Sequence, residues 1–183
     1  SKRIVSFANL AVGRVRGGLG YVAILSSMIF AGLSGSAVAD AAALGAILVP
    51  MMIQNGYRKE RAVGLICAGA IIAPIIPPSI PMIVLGTSVG LSIGRMFMSG
   101  IVPGIIIGLA LMAAWFVIVR VDGYKDVTRY GRKEALAILK DSVPALVMPL
   151  MIVGGIRLGI FTPTESGAFA AVYALLVSLL YYK

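Results

Sequence analysis

Apolar residues in this chain come in long unbroken blocks separated by short basic segments. Residues 17–57 carry one charged side chain, Asp40, and residues 62–94 and 96–119 carry none. A helix needs roughly 20 apolar residues to cross a hydrocarbon core of about 30 Å, and the blocks meet or exceed that length. The basic segments between them hold Lys2 to Arg16, then Arg58, Lys59 and Arg61, then Arg120 to Lys140. The pattern predicts an all-α, polytopic membrane protein. Residues 1–16 have positive charges only, with apolar residues at helical spacing, and predict an amphipathic arm helix on the cytoplasmic face.

If the basic segments share the cytoplasmic side, residues 17–57 must leave and return to it, yet no charged turn divides them. The expected turn is Gly32-Leu33-Ser34-Gly35-Ser36. Arms of about 21–31 and 37–53 reach roughly 17–25 Å at 1.5 Å per residue, short of a full crossing. A re-entrant helical hairpin follows, with its tip inside the membrane and covered by protein or a water-filled cavity. Residues 62–94 predict one crossing, Arg95 an external turn, and 96–119 the return. Residues 120–142 predict a polar, partly helical cytoplasmic connector. Residues 143–160 and 167–182 form a last pair of crossings. Thr162-Pro163-Thr164-Glu165 between them reads as a capping box that starts a helix.

The block 62–94 contains Pro74, Pro77, Pro78 and Pro81. Each proline deletes a backbone donor and clashes with the carbonyl one turn earlier. So dense a cluster predicts a discontinuous helix, unwound near mid-membrane, with carbonyls free to hold a cation. Such helices build the ion and substrate sites of secondary transporters. Asp40 is the acid deepest in an apolar block, where a carboxylate is costly and faces a cavity or a partner. It can balance a Na⁺, with Ser34, Ser36 and freed carbonyls as neutral ligands. It can equally cap the second arm's first turn or bond a neighbouring helix. The spacings Gly86, Gly90, Gly94 and Gly100, Gly104, Gly108 read as close-packing faces.

Of the 183 residues, 60% are hydrophobic and 13% charged, against about 25% charged in soluble domains. The net charge of +9 sits between apolar blocks, so it orients the chain in a bilayer rather than binding nucleic acid. A lone Cys67 excludes an intrachain disulfide, and the lack of histidine removes imidazole relays and most metal-ligand sets. Gly32-Leu33-Ser34-Gly35 matches the GxSG pattern of intramembrane serine proteases, whose serine needs a base that no histidine here supplies. Re-entrant loops also build pores, which leaves a channel-type membrane subunit as a further alternative. The chain starts at Ser1 and ends on an apolar run, and is expected to be part of a longer protein.

The run 32–52 (GLSGSAVADAAALGAILVPMM), then 73–81 (APIIPPSIP) and 159–168 (GIFTPTESGA), resembles the large membrane (M) subunit of tripartite ATP-independent periplasmic (TRAP) transporters. The resemblance extends over nearly all of the chain. It implies an elevator-type transporter of which this stretch is half of an inverted repeat, the other hairpin and broken helix lying elsewhere. A first Na⁺ site would fall on Ser34 and Asp40 and on the backbone of Ala73, Ile76 and Pro78, with Na⁺ as coupling ion and no other cofactor. Family members often have glycine where Ala73 stands, which matters little if only the carbonyl is used. Gly35, Ser36 and Ser79 would contact substrate. The implied partners are a small membrane (Q) subunit, a periplasmic substrate-binding (P) protein, the lipid bilayer and an organic acid. Sialic acid is preferred and C4-dicarboxylate comes next. The implied location is the bacterial inner membrane.

Overall fold

The apolar blocks fold into helices throughout. The computed structural model describes residues 2–128 and 130–181. These form α1 (Lys2–Val12), α2 (Gly18–Ser34), α3 (Ala37–Gln54), α4 (Lys59–Ala70), α5 (Ile80–Val89), α6 (Ile93–Asp122), α7 (Arg132–Arg157) and α8 (Pro163–Leu176), which ends in a π-helical turn, Val177–Tyr181. Tyr182, the expected end of the last crossing, lies outside the described residues. Helices α3, α6 and α7 are long and apolar enough to cross a membrane, and α2, α5 and the segment Glu165–Tyr181 are shorter apolar helices. Large apolar side chains such as Val102, Ile106, Leu109 and Leu150 stand exposed. A water-soluble monomer rarely shows so much apolar surface; a polytopic membrane protein requires it.

Helices α2 and α3 form a hairpin, and α2 is its hub, packing on α1, α3, α4, α6 and α7. Val22, Ala23 and Ile24 of α2 meet Leu44, Leu48 and Met52 of α3 and Ile66 of α4 in a core closed to solvent. The turn is tighter than the sequence suggests. Helix α2 continues through Gly32 and Leu33 to Ser34, leaving only Gly35 and Ser36 between the arms. Gly35 makes this possible by taking φ 60°, a left-handed conformation open to a residue without Cβ. Gly32 lies within the helix, where its bare face lets Pro149 of α7 approach; a Cβ there would lie 3.3 Å from the proline ring. The arms have 17 and 18 residues, hence lengths of about 25–27 Å, still under the hydrocarbon thickness.

Other boundaries also move. Helix α4 ends at Ala70 and α5 begins at Ile80, so residues 71–79 are the unwound stretch. The turn after α5 falls on Gly90, Leu91 and Ser92, and Arg95 sits in the first turn of α6 rather than in the loop. Gly86, Gly90 and Gly94 therefore span a turn and form no common helix face. Gly100, Gly104 and Gly108 do share one: they receive the Ile75 carbonyl, Ile76 and Met28 respectively. Within the polar connector only residues 123–131 are non-helical, because Arg132 onward joins α7, whose start is fixed by the Glu134 carboxylate accepting from the Gly131 N–H at 3.1 Å. Pro144 and Pro149 lie inside that helix without ending it.

The three basic segments converge at one end of the bundle. Thr128 N–H donates to the Gly13 carbonyl at 2.8 Å, and Arg61 pairs with Asp122 at 3.1 Å. Beneath them Tyr57, Tyr124 and Trp115 stack, with ring centroids 4.2 Å apart for the two tyrosines and 5.9 Å for Tyr57 and Trp115. The Asp126 carboxylate ties the foot of the hairpin together. It accepts from the Tyr57 hydroxyl and, at 3.0 Å, from the Leu19 N–H. Trp115 Nε1 donates to the Gly17 carbonyl at 3.0 Å. None of these residues stood out in the sequence; an acid within a basic connector and the chain's one tryptophan were the available signals. Replacing Tyr57 with Phe keeps the stack and removes one donor from a part-buried carboxylate. We expect a stability loss of about 1–3 kcal/mol, read as a lower thermal midpoint of the detergent-solubilised full-length protein.

Candidate functional site

The hairpin tip and the proline break meet. A Cβ on Gly35 would fall 2.4 Å from the Pro78 carbonyl oxygen and 3.1 Å from the Ile80 nitrogen and the Ser79 Cα. The tip backbone thus rests directly on the unwound backbone, a contact that only a residue without a side chain permits. One turn earlier, Ala31 of α2 packs with Ile72 and Ala73, all shielded from solvent, with Ile76 against their edge. Gly100 and Gly104 of α6 close the far side of the break. These contacts cover residues 72–79, buried or half-buried throughout, as irregular backbone inside a membrane needs.

Asp40 is 0% exposed. Its position follows from the tightness of the turn, which begins α3 at Ala37 and brings Asp40 back beneath Ser34. The Ser34 hydroxyl donates to Asp40 Oδ1, and the Ser36 N–H donates to Ser34 Oγ at 3.1 Å. Ser36 caps α3, its Oγ accepting from the Ala39 N–H at 3.4 Å. Ser36 thus takes the N-cap, and Asp40 keeps its carboxylate for other partners. The second oxygen of Asp40, Oδ2, is buried and has no hydrogen-bond partner among the described residues. A buried, unpaired carboxylate oxygen is costly, so this atom needs a cation or a donor.

Ser79 is also fully buried. Its hydroxyl donates to the Pro74 carbonyl at 2.6 Å and accepts from the Met82 N–H at 3.3 Å, which spans the break and caps α5. Among the described residues, no backbone N–H donates to the carbonyls of Ala73, Ile76 or Pro78. The break thus offers neutral oxygens while Asp40 offers charge. Of the eight positions singled out in the sequence, Gly35, Pro78 and Ser79 touch, and Ser34, Ser36 and Asp40 are joined by hydrogen bonds. Ala73 and Ile76 pack where the same break meets α2. No group of three His, Cys, Asp or Glu side chains gathers among the described residues. The donor set, one carboxylate with hydroxyls and carbonyls, suits a hard cation better than a soft transition metal. Ser34, the candidate protease nucleophile, spends its proton on Asp40 and has no imidazole near it, since the chain holds no histidine.

Comparison with known proteins points the same way. The family model described as "Tripartite ATP-independent periplasmic transporter, DctM component" matches residues 1–183. The chain is 50% identical over its full length to the 2,3-diketo-L-gulonate TRAP transporter large permease protein YiaN of Escherichia coli, covering 43% of that protein. It is 42% identical to the C4-dicarboxylate TRAP transporter large permease protein DctM of Vibrio cholerae, covering 40% of it. Identity to the sialic acid TRAP transporter permease protein SiaT of Haemophilus influenzae is 40%, covering 30% of that protein. The chain therefore spans less than half the length of these curated relatives. Their names are those of transporter permeases, not enzymes. With the family model matched from the first residue to the last, this helical, multi-pass membrane chain belongs to the large-permease family of TRAP transporters.

Proposed function

We propose that the chain is the hairpin-bearing half of a Na⁺-coupled secondary transporter subunit that imports an organic acid across the bacterial inner membrane. One observation carries this reading: a fully buried Asp40 with one oxygen held by Ser34 and the other without a partner, beside a proline break with unclaimed carbonyls. A Na⁺ held by Asp40 Oδ2, Ser34 and the carbonyls of Ala73, Ile76 and Pro78 would satisfy all of them at once. Gly35 and Ser36 then lie nearest the substrate, which arrives from a periplasmic binding protein; Ser79, proposed with them from sequence, would reach it only by giving up its bond to the Pro74 carbonyl. A small membrane subunit buttresses the remainder of the protein. The tip and the break are welded by backbone contact, which supports movement as one body in an elevator mechanism.

An organic acid is the class common to the names of the relatives. Sialic acid was the preference from sequence and C4-dicarboxylate the next. The relative named for 2,3-diketo-L-gulonate is the more similar at 50%, against 42% and 40% for those named for C4-dicarboxylate and sialic acid, so sugar acids of that kind enter the same uptake screen.

In proteoliposomes holding the full-length protein and its partners, uptake should require an inward Na⁺ gradient and the soluble binding protein; conductance without either would point to a channel instead. Asp40→Asn should raise the Na⁺ concentration for half-maximal uptake about tenfold or more, the equivalent of ~1.4 kcal/mol. Unchanged Na⁺ dependence would remove Asp40 from the site. Gly35→Ala and Gly56→Ala form a matched pair. Both place a Cβ at positive φ, at a cost of about 1–2 kcal/mol. Only at Gly35 does that Cβ strike the break, while at Gly56 nothing lies within 4 Å. Thermal stability should fall in both variants, and uptake should collapse in Gly35→Ala alone.

A further inference from the structure

The basic end of the bundle holds a cavity of about 400 Å³ between the α1–α2 link and the end of α6. Arg16, Arg120 and Lys125 line it together with Val15, Phe116 and Tyr124, and no carboxylate does. The acids nearest in sequence are engaged elsewhere: Asp122 with Arg61, and Asp126 with Tyr57 and Leu19. Among the described residues the three cations make no ion pair. The C-terminal end of α6 adds about half a negative charge, which Arg120 in its last turn more than offsets. Arg120 is also held in place, its guanidinium carbon 4.1 Å from the centroid of the Phe116 ring. The cavity thus carries uncompensated positive charge, one cation of which is held in place.

Its surroundings select the anion. Phe116 is 46% exposed and Val121 75%, although both are apolar. From Arg120 an exposed apolar stripe climbs α6 through Phe116, Val117 and Leu109 to Ile106. Those fourteen positions rise about 21 Å, longer than one leaflet of a bilayer core of about 30 Å. A cationic pocket at the foot of an apolar stripe one leaflet deep fits a molecule with a phosphate at one end and acyl chains at the other. Free phosphate would use the cations and leave the stripe idle.

We propose that Arg16, Arg120 and Lys125 form a binding site for the phosphate of an anionic phospholipid, whose acyl chains run along the Phe116–Ile106 face of α6. The bound lipid bridges the α1–α2 link and the α6–α7 connector, the two segments already joined by the Thr128–Gly13 hydrogen bond.

The test uses full-length protein in nanodiscs of phosphatidylethanolamine and phosphatidylglycerol, followed by native mass spectrometry of the lipid retained. The wild type should retain phosphatidylglycerol over phosphatidylethanolamine. The combined variant Arg16→Gln, Arg120→Gln, Lys125→Gln should lose that preference, by about fivefold for each cation removed. A charge-matched control, Lys59→Gln, Arg132→Gln, Lys133→Gln, should keep it. Should the triple variant fail to insert, Lys125→Gln alone, on the exposed connector, should still lower the preference about fivefold. Equal loss in both triple variants would overturn the proposal in favour of general charge attraction. An unchanged preference would mean that the pocket is solvated or covered by other protein. Displacement of the lipid by inorganic phosphate at constant ionic strength would identify a free-phosphate site and overturn the lipid assignment.

Discussion

The contact of Gly35 with the backbone at Pro78 and Ser79 is the constraint on which the rest of the structure depends. Inside a bilayer no water is present to satisfy a broken helix, so unwound backbone survives only when protein encloses it. The proline cluster makes unwinding unavoidable between Ile71 and Ser79. The hairpin exists at a length that brings its tip to that stretch, and α6 presents Gly100 and Gly104 from the other side. Each element's size follows: arms of 17 and 18 residues, a turn of two residues, and a glycine face where the break must be approached closely.

The same enclosure creates the electrostatic problem that the site resolves. Prolines leave carbonyls without donors, and the tight turn carries Asp40 into the interior with only one oxygen satisfied. Neither feature is stable alone, and the cation proposed above would answer both. The foot of the hairpin solves a comparable problem without an ion. There Asp126 receives a tyrosine hydroxyl and a backbone N–H, so its charge is met by fixed donors. One carboxylate is closed and structural while the other keeps an open valence, and that difference separates scaffold from site.

Much of the fold was legible because the membrane enforces simple rules. Long apolar blocks and proline positions located the hairpin, the break and the long helix α6. The exact turn was not legible, since Gly32 and Leu33 read as loop, and only the folded chain shows that the glycine serves a close approach of Pro149 rather than the turn. The connector was expected to be partly helical, and charged residues such as Arg132, Lys133 and Glu134, good helix formers, supply that helix as the start of α7. Ser34, Asp40 and the break were recognisable from residue type and order. The aromatic and Asp126 knot was not, because it joins positions far apart in sequence through stacking and one carboxylate, with no local periodicity to betray it.

Direct measurement of Na⁺ binding to the full-length permease tests the central claim most closely. Equilibrium binding of radioactive Na⁺ to purified protein, compared between wild type, Asp40→Asn and a Tyr57→Phe control, separates the site from general stability. The account predicts saturable binding in the wild type and the control, with the occupancy of one site lost in Asp40→Asn. Full Na⁺ occupancy at unchanged affinity in Asp40→Asn would contradict it, and would leave the open oxygen of Asp40 to some other partner.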